Sequence, residues 1–240
     1  MADTLEILVP TEQSDITLEQ YKEWIRVVET VGDEKGKEDF LNKTLIEIFC
    51  KVPVSDIAKI KATEYNKILM VLQETFTKDN KELVMSFELN GIEYGFEPNI
   101  EEMITSTYVD AEAGLGSWED MHTAMAALYR RVTGKRVTRG VEQYEIEEYS
   151  PTDEKSNVML DAPLDAVLSA KVFICNLGTE LSLITLACLE QELQKEQDIQ
   201  LKKTLEQNGD GINRFIHSLE ETYSSLMKQH PYHYIKLSHS

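Results

Sequence analysis

Apolar residues recur at helical spacing through the first third of the chain. Leu18, Tyr21, Trp24, Ile25 and Val28 mark one amphipathic helix, and Phe40, Leu41, Leu45, Ile48 and Phe49 mark a second. Thr17-Leu18-Glu19-Gln20 has capping-box spacing, in which hydroxyl and amide satisfy each other's backbone donors. Pro53 closes the second helix. Ser55 and Thr63 stand where caps for two further helices are expected, the later one running through Ile68, Leu69, Leu72 and Phe76. Ahead of all of them, Leu5 to Val9 is a β-prone run stopped by Pro10 and predicts a short strand.

The period then changes. Leu83 to Leu89 alternates in part, Asn90-Gly91 follows, and Ile92 to Phe96 resumes the β-prone pattern. Asn-Gly between two such runs predicts a hairpin, because both central residues of its turn need positive φ. Ala113-Gly114-Leu115-Gly116 predicts a loop. Trp118 to Val132 predicts a helix with Met121, Met125, Leu128 and Tyr129 on one side, and Val141 to Tyr149 predicts a strand. From Pro163 onward the pattern is helical, with Leu164, Val167, Leu168, Ile174, Leu177, Leu181 and Ile184 in its apolar stripe. Asn208-Gly209-Asp210-Gly211 predicts a turn before a last helix carrying Ile212, Phe215, Ile216 and Leu219, which makes an αα-hairpin. Its first arm, from Glu190 to Gln207, is thin in apolar residues. The fold class is α+β, mainly helical, with a small antiparallel β-hairpin element and a C-terminal helical hairpin. Residues 1–189 are expected to form a mixed α+β core domain, and 190–240 a helical-hairpin arm and tail.

Composition narrows the function classes. The chain has 240 residues, with 24 Lys+Arg against 43 Asp+Glu and a net charge of −19. Such a balance argues against coating nucleic acid or an anionic membrane by bulk attraction. Hydrophobic residues at 42% are enough to build a core. Three widely spaced cysteines make no disulfide framework and suit a reducing compartment. Met1 to Glu6 has neither the basic nor the apolar region of a secretory signal. The most apolar stretch, Ala162 to Leu189, includes Asp165, Lys171, Asn176 and Glu180, so a core helix is expected there rather than a bilayer span.

No motif points to catalysis. His122 lacks a second histidine four residues on, and His230, His233 and His239 fall in a terminal tail. Cys175 and Cys188 read as buried reduced thiols. Asn208 to Gly211 fails as a calcium loop, because position twelve falls on His217 where a glutamate is required. Gly114-Leu115-Gly116-Ser117 lacks the following lysine and third glycine of a nucleotide loop, so Ser117 reads as a helix cap. Acidic neighbours such as Glu101 and Glu102 are expected by chance in so acidic a chain. No enzyme, cofactor or metal is expected.

One charge feature stands apart. Arg130, Arg131, Lys135, Arg136 and Arg139 fall within ten residues that hold no acid, a basic loop on an acidic protein. Three ligands are open for it: a nucleic-acid phosphate, an acidic partner surface, or the chain's own strand from Glu142 to Glu148. Tyr94, Phe96, Trp118 and Tyr129 read as core rather than contact residues.

Several segments, taken in order, carry a resemblance. They are Gly91-Ile92-Glu93-Tyr94-Gly95-Phe96-Glu97-Pro98, Tyr108-Val109-Asp110, His122 with Ala124-Met125-Ala126-Ala127-Leu128-Tyr129-Arg130, Tyr144-Glu145-Ile146-Glu147-Glu148-Tyr149, and Phe173-Ile174-Cys175-Asn176-Leu177-Gly178. In that order the chain resembles a group of tailed-bacteriophage structural-module proteins described as tail assembly chaperone-like or baseplate-assembly-like. It departs from them at Thr105-Ser106-Thr107, where the group often has Leu-Gly-Glu. The resemblance implies a non-enzymatic assembly protein that binds tail or baseplate polypeptides in the host cytoplasm. Alternatives are a structural virion component (connector, baseplate or packaged cargo) and an early protein that manipulates a host factor. The basic run and the far arm of the αα-hairpin are the expected contact surfaces.

Overall fold

The computed structural model describes residues 6–31, 37–78, 82–99, 103, 105–138, 140–195, 203–204, 207–214, 216–218 and 221. Contacts divide the chain after Ser169, with a second unit beginning at Ala170.

Helix α1 (Leu18–Val31) starts where the capping box places it. The Gln20 backbone N–H donates to Thr17 Oγ1 at 3.2 Å, and the Thr17 N–H donates to Gln20 Oε1 at 3.1 Å. The same Gln20 donates from Nε2 to the Ile48 carbonyl at 2.7 Å, so one buried side chain both starts α1 and ties it to α2 (Lys37–Cys50). Lys51, with φ of 55°, ends α2. Helices α3 (Val54–Ile57) and α4 (Ala62–Thr77) follow. Neither Ser55 nor Thr63 is a cap. Both lie inside helices, whose caps are Pro53 and Lys61 and make no side-chain cap bond. Proline suits the start of α3 because its fixed φ matches the helix and its missing N–H is one the first turn cannot use. The core of this unit lies among α1, α2 and α4, where Phe49 sits 6.2 Å from Trp24 and 4.9 Å from Phe76 between ring centroids.

The expected first strand is absent over residues 6–9, and Leu5 lies outside the described residues. Ile7 and Val9 pack on the core while Leu8 is 83% exposed. The Pro10 carbonyl is taken by the Thr75 hydroxyl at 3.0 Å, a side chain on α4 rather than a neighbouring strand.

Four antiparallel strands form a sheet in the order β1-β2-β3-β4: β1 (Ser86–Leu89), β2 (Ile92–Phe96), β3 (Tyr129–Thr138) and β4 (Val141–Ile146). The β1–β2 turn is the predicted one, with Asn90 at φ 52° and Gly91 at φ 77°. Between β2 and β3 stand α5 (Thr105–Leu115) and α6 (Met121–Leu128). Ala113 to Leu115 is therefore helical and not loop. Gly114 is where α5 meets α6: a Cβ there would lie 2.6 Å from the Ala124 nitrogen. The expected helix through Val132 ends at Leu128 instead. Tyr129, Arg130 and Arg131 pair with Phe96, Gly95 and Tyr94 of β2, and this pairing overrides the helical pattern. Ser117 is not the helix cap expected, because α6 starts at Met121 with Asp120 as its cap; its hydroxyl accepts from the Glu119 N–H at 3.1 Å in the preceding turn.

Helix α7 (Asp153–Val158) has Thr152 as its cap, the hydroxyl accepting from the Lys155 N–H at 3.3 Å. Helix α8 (Leu164–Lys195) opens in the first unit, where Leu164 and Val167 are fully buried. The backbone pairs Leu164 N to Ile16 O and Leu18 N to Ala162 O, both 2.9 Å, tie its start to that of α1. Burial continues through Ala170, Lys171 and Cys175, and α8 departs from the core helix expected farther on, where Leu183 and Ile184 are exposed. In the second unit residues 207–214 are helical, so Asn208 to Gly211 makes no turn. The small residue serves packing there, since a Cβ on Gly209 would sit 3.5 Å from Leu186 Cδ1 of α8. Phe215 and Leu219 of the expected last helix lie outside the described residues.

Candidate functional site

The basic run is a strand and not a loop. Arg130, Arg131, Lys135 and Arg136 all lie on β3, and Arg139 lies outside the described residues. A strand sends alternate side chains to opposite faces and sets each beside residues of its neighbours. Those neighbours are acidic. Arg130 Nη2 pairs with Glu97 just beyond β2, Lys135 Nζ with Glu93 of β2 at 2.8 Å, and Arg136 Nη1 with Glu145 of β4 at 3.8 Å. Arg131 sits opposite Tyr94, and a side-chain hydrogen bond with Tyr94 first, then the charges of Glu147 and Glu154, raise its pKa. The chain's own carboxylates thus engage the basic strand, from β2 as well as from the Glu142–Glu148 side.

These pairs are unequal. Side chains of Arg130 and Glu97 are 13% and 11% exposed, whereas those of Arg136 and Glu145 are 67% and 68% exposed. The first is a largely buried pair, costly to break from one side, and the second is worth little in water.

Around Arg130 stands a set of tyrosines. Gly95 leaves room for the Tyr144 ring, since a Cβ would fall 2.5 Å from it. The Tyr144 hydroxyl donates to the Phe96 carbonyl at 2.7 Å. Tyr129 is fully buried and donates to the Val84 carbonyl at 2.7 Å. Tyr149 donates to Asp110 Oδ2 of α5 at 2.6 Å, and burial first, then that carboxylate, pushes its pKa up. All three hydroxyls are held as neutral donors. Tyr94, Phe96 and Tyr129 are buried and Trp118 packs partly against the core, the placement expected of these aromatics.

Two concavities of the first unit flank Arg130. One, of about 330 Å³, lies between β3 and the segment through α7. The other, a groove of about 930 Å³, reaches from Met103 and Thr107 to Tyr144 and Glu145. Arg130, Glu147, Glu148 and Tyr149 line both. Lys155 holds Glu147 at 2.6 Å on the cavity side. Carboxylates, neutral hydroxyls and aromatic faces suit such walls to recognising polar and cationic groups.

A second polar cluster pins α1 to the turn before α6. Arg26 grips Glu119 through two bonds of 2.5 and 2.6 Å, and buried Lys22 donates to the Glu119 carbonyl at 2.7 Å. Burial and then Lys22 lower the pKa of neighbouring His122.

No family model matches the chain. No solved structure matches it either. One of the subunits of an ATP-dependent helicase/deoxyribonuclease from Clostridium novyi (strain NT) is 25% identical to it over 210 residues, which make up 84% of this chain and 16% of that protein. The chain thus spans about a sixth of the length of this curated relative.

Among the described residues no group of three or more His, Cys, Asp or Glu is placed to hold a metal ion. Cys175 is buried as expected, but Cys188 is exposed. Glu101, Glu102, His230, His233 and His239 lie outside the described residues. The sequence reading missed the groove residues Thr107, Glu97 and Tyr149 as site residues. The Tyr144–Tyr149 segment carried a signal, two tyrosines bracketing three glutamates, but nothing local says that its side chains meet α5.

Proposed function

We propose that this chain is a non-enzymatic bacteriophage assembly protein that binds tail or baseplate polypeptides. The observation that carries the reading is the apolar surface of α8. Within Leu164–Leu189 an 18-residue window reaches a mean hydropathy of 1.8 and is 12% buried, and Leu183 and Ile184 are 52% and 61% exposed. Apolar surface left in water at that density marks a place for a partner. By length and composition the stretch could also cross a membrane. Its first turns are already committed to the protein core at Leu164 and Val167, and Asn176 and Glu180 interrupt what remains. The resemblance to phage structural-module proteins supplies the class of partner, and a net charge of −19 suits a factor that must stay soluble while holding aggregation-prone subunits.

The similarity to a helicase/deoxyribonuclease component favours a second reading, a segment that works within a nucleic-acid-processing assembly. Against it, three cations of β3 are paired with the chain's own carboxylates.

Co-expression with the tail and baseplate proteins of the same genome tests the first reading. Capture of one of them, with the chain absent from purified particles by mass spectrometry, is the expected result. Stoichiometric recovery from particles points instead to a structural virion component. Duplex DNA retained at low salt, with no tail protein captured, points to the second reading.

A further inference from the structure

The groove on the Thr107 side of Arg130 is lined by four carboxylates, Glu97, Glu145, Glu147 and Glu148, against two guanidiniums, Arg130 and Arg136. Glu97 and Glu147 are held by Arg130 and Lys155. The Glu145 carboxylate has the loose, exposed contact with Arg136 at 3.8 Å, and Glu148 is exposed and pairs with no described residue. The groove therefore presents surplus negative charge at Glu145 and Glu148.

An independent feature lies in the same wall. Thr107 is 1% exposed, lines the groove, and its Oγ1 has no hydrogen-bond partner among the described residues. A buried hydroxyl in that state keeps a desolvation cost that nothing around it offsets. It can donate to an acceptor brought from outside. An anionic acceptor is repelled by the surrounding carboxylates, while a neutral carbonyl is not. Met85, Met103 and the Tyr144 ring supply adaptable apolar surface of the kind that accepts an alkyl stem.

We propose that this groove takes an extended polypeptide segment of a partner bearing lysine or arginine, with a backbone carbonyl on the Thr107 hydroxyl and the cationic head at Glu145 and Glu148. The inference rests on the reading above that the chain binds other polypeptides, and it names the chemistry of the segment recognised. A duplex or single-stranded nucleic acid is the wrong charge for these walls. A small polyamine has the right charge but offers no carbonyl to Thr107.

The test is selection of a displayed random octapeptide library on the full chain, followed by titration of the enriched peptide, fluorescein-labelled, against three proteins. These are the native chain, the double variant Glu145→Gln/Glu148→Gln, and Thr107→Val. Enrichment of lysine or arginine is expected, with binding weakened about tenfold by the double variant and by added salt. Thr107→Val keeps the side-chain shape and removes an unsatisfied hydroxyl, so its thermal midpoint should hold or rise while its peptide affinity falls about fivefold. A merely structural threonine would leave affinity unchanged. Enriched peptides without basic residues, equal binding to all three proteins, or displacement by spermidine at the peptide's own dissociation constant would each overturn the proposal. Capture of a tail protein that survives Glu145→Gln/Glu148→Gln removes the groove and leaves the assembly reading standing. Failure of the native chain to capture any tail protein removes that reading itself.

Discussion

Replacing Gly114 by alanine sets two effects against each other, and the geometry decides between them. Gly114 lies inside α5, where alanine is intrinsically favoured by about 1 kcal/mol. Its added Cβ, however, would stand 2.6 Å from the Ala124 nitrogen, 2.8 Å from the Ala124 Cβ and 2.8 Å from the Asp120 carbonyl oxygen. Ordinary contacts between carbons are about 3.5–4.0 Å, so each is short by roughly an ångström. Two of the three atoms are backbone and cannot rotate away, so α5 and α6 must separate. Overpacking of this kind costs about 1–3 kcal/mol, and rigid backbone neighbours put this site at the top of that range. The net expectation is a loss of about 2 kcal/mol, which lowers the thermal midpoint of a unit this size by roughly 4–8 °C. Both tryptophans, Trp24 and Trp118, belong to the first unit, so intrinsic fluorescence reports its unfolding. Gly116→Ala is the control, since its Cβ would meet only the Ala113 oxygen at an ordinary 3.5 Å. A midpoint for Gly114→Ala that equals or exceeds that of the control would refute the claim that backbone contact, not helix propensity, governs this crossing.

Three further outcomes follow from the same structure. Arg130→Leu leaves the Glu97 carboxylate buried and unpaired and should cost about 3–5 kcal/mol in urea unfolding, while Arg130→Leu/Glu97→Leu should recover most of it. Lys51 ends α2 at φ 55°, where glycine carries no Cβ penalty, so Lys51→Gly should stabilise by about 0.5–1 kcal/mol against thermal unfolding. Burial pushes the Lys171 ammonium down to about 8, so the unfolded chain holds its proton to higher pH than the folded one. Stability should therefore rise from about pH 8 toward the ordinary lysine value near 10.4, and below that window the burial cost is fully present. Lys171→Met should flatten that rise in far-UV dichroism melts and raise stability at neutral pH.

What could be read from residues alone was local. The capping box at Thr17–Gln20 and the Asn90-Gly91 turn are decided within four residues, and the structure places both as expected. The switch from α6 to β3 was not legible, because Leu128-Tyr129 has no glycine or proline to punctuate it. Tyr129 leaves the helix because β2, more than thirty residues earlier, offers Phe96 as its strand partner. Gly114 misled for a related reason: glycine punctuates a chain when read locally, but here it is a contact between two helices. The cations of β3 were visible as a run. Their neutralisation was not, since Glu93 lies on β2 and Glu97 just beyond it, more than thirty residues earlier in the chain. Thr107 carried no local signal of its own, and the state of its hydroxyl is a property of packing.

The two proposed contact surfaces differ in physics, and that difference can be measured. Apolar burial on α8 around Leu183 and Ile184 supplies affinity that salt does not weaken. Carboxylates at Glu145 and Glu148 supply attraction that falls as the Debye length shrinks from about 10 Å at 0.1 M salt to about 3 Å at 1 M. A partner that uses both should show a steep loss of affinity at low ionic strength that levels to a plateau. Leu183→Ser/Ile184→Ser should lower the plateau and leave the slope, whereas Glu145→Gln/Glu148→Gln should flatten the slope and leave the plateau. Association rate should follow the carboxylates and dissociation rate the apolar face, since screened charges act mainly on encounter. If both double variants change the same part of the salt curve, the separation of roles is wrong, and one surface alone carries the binding.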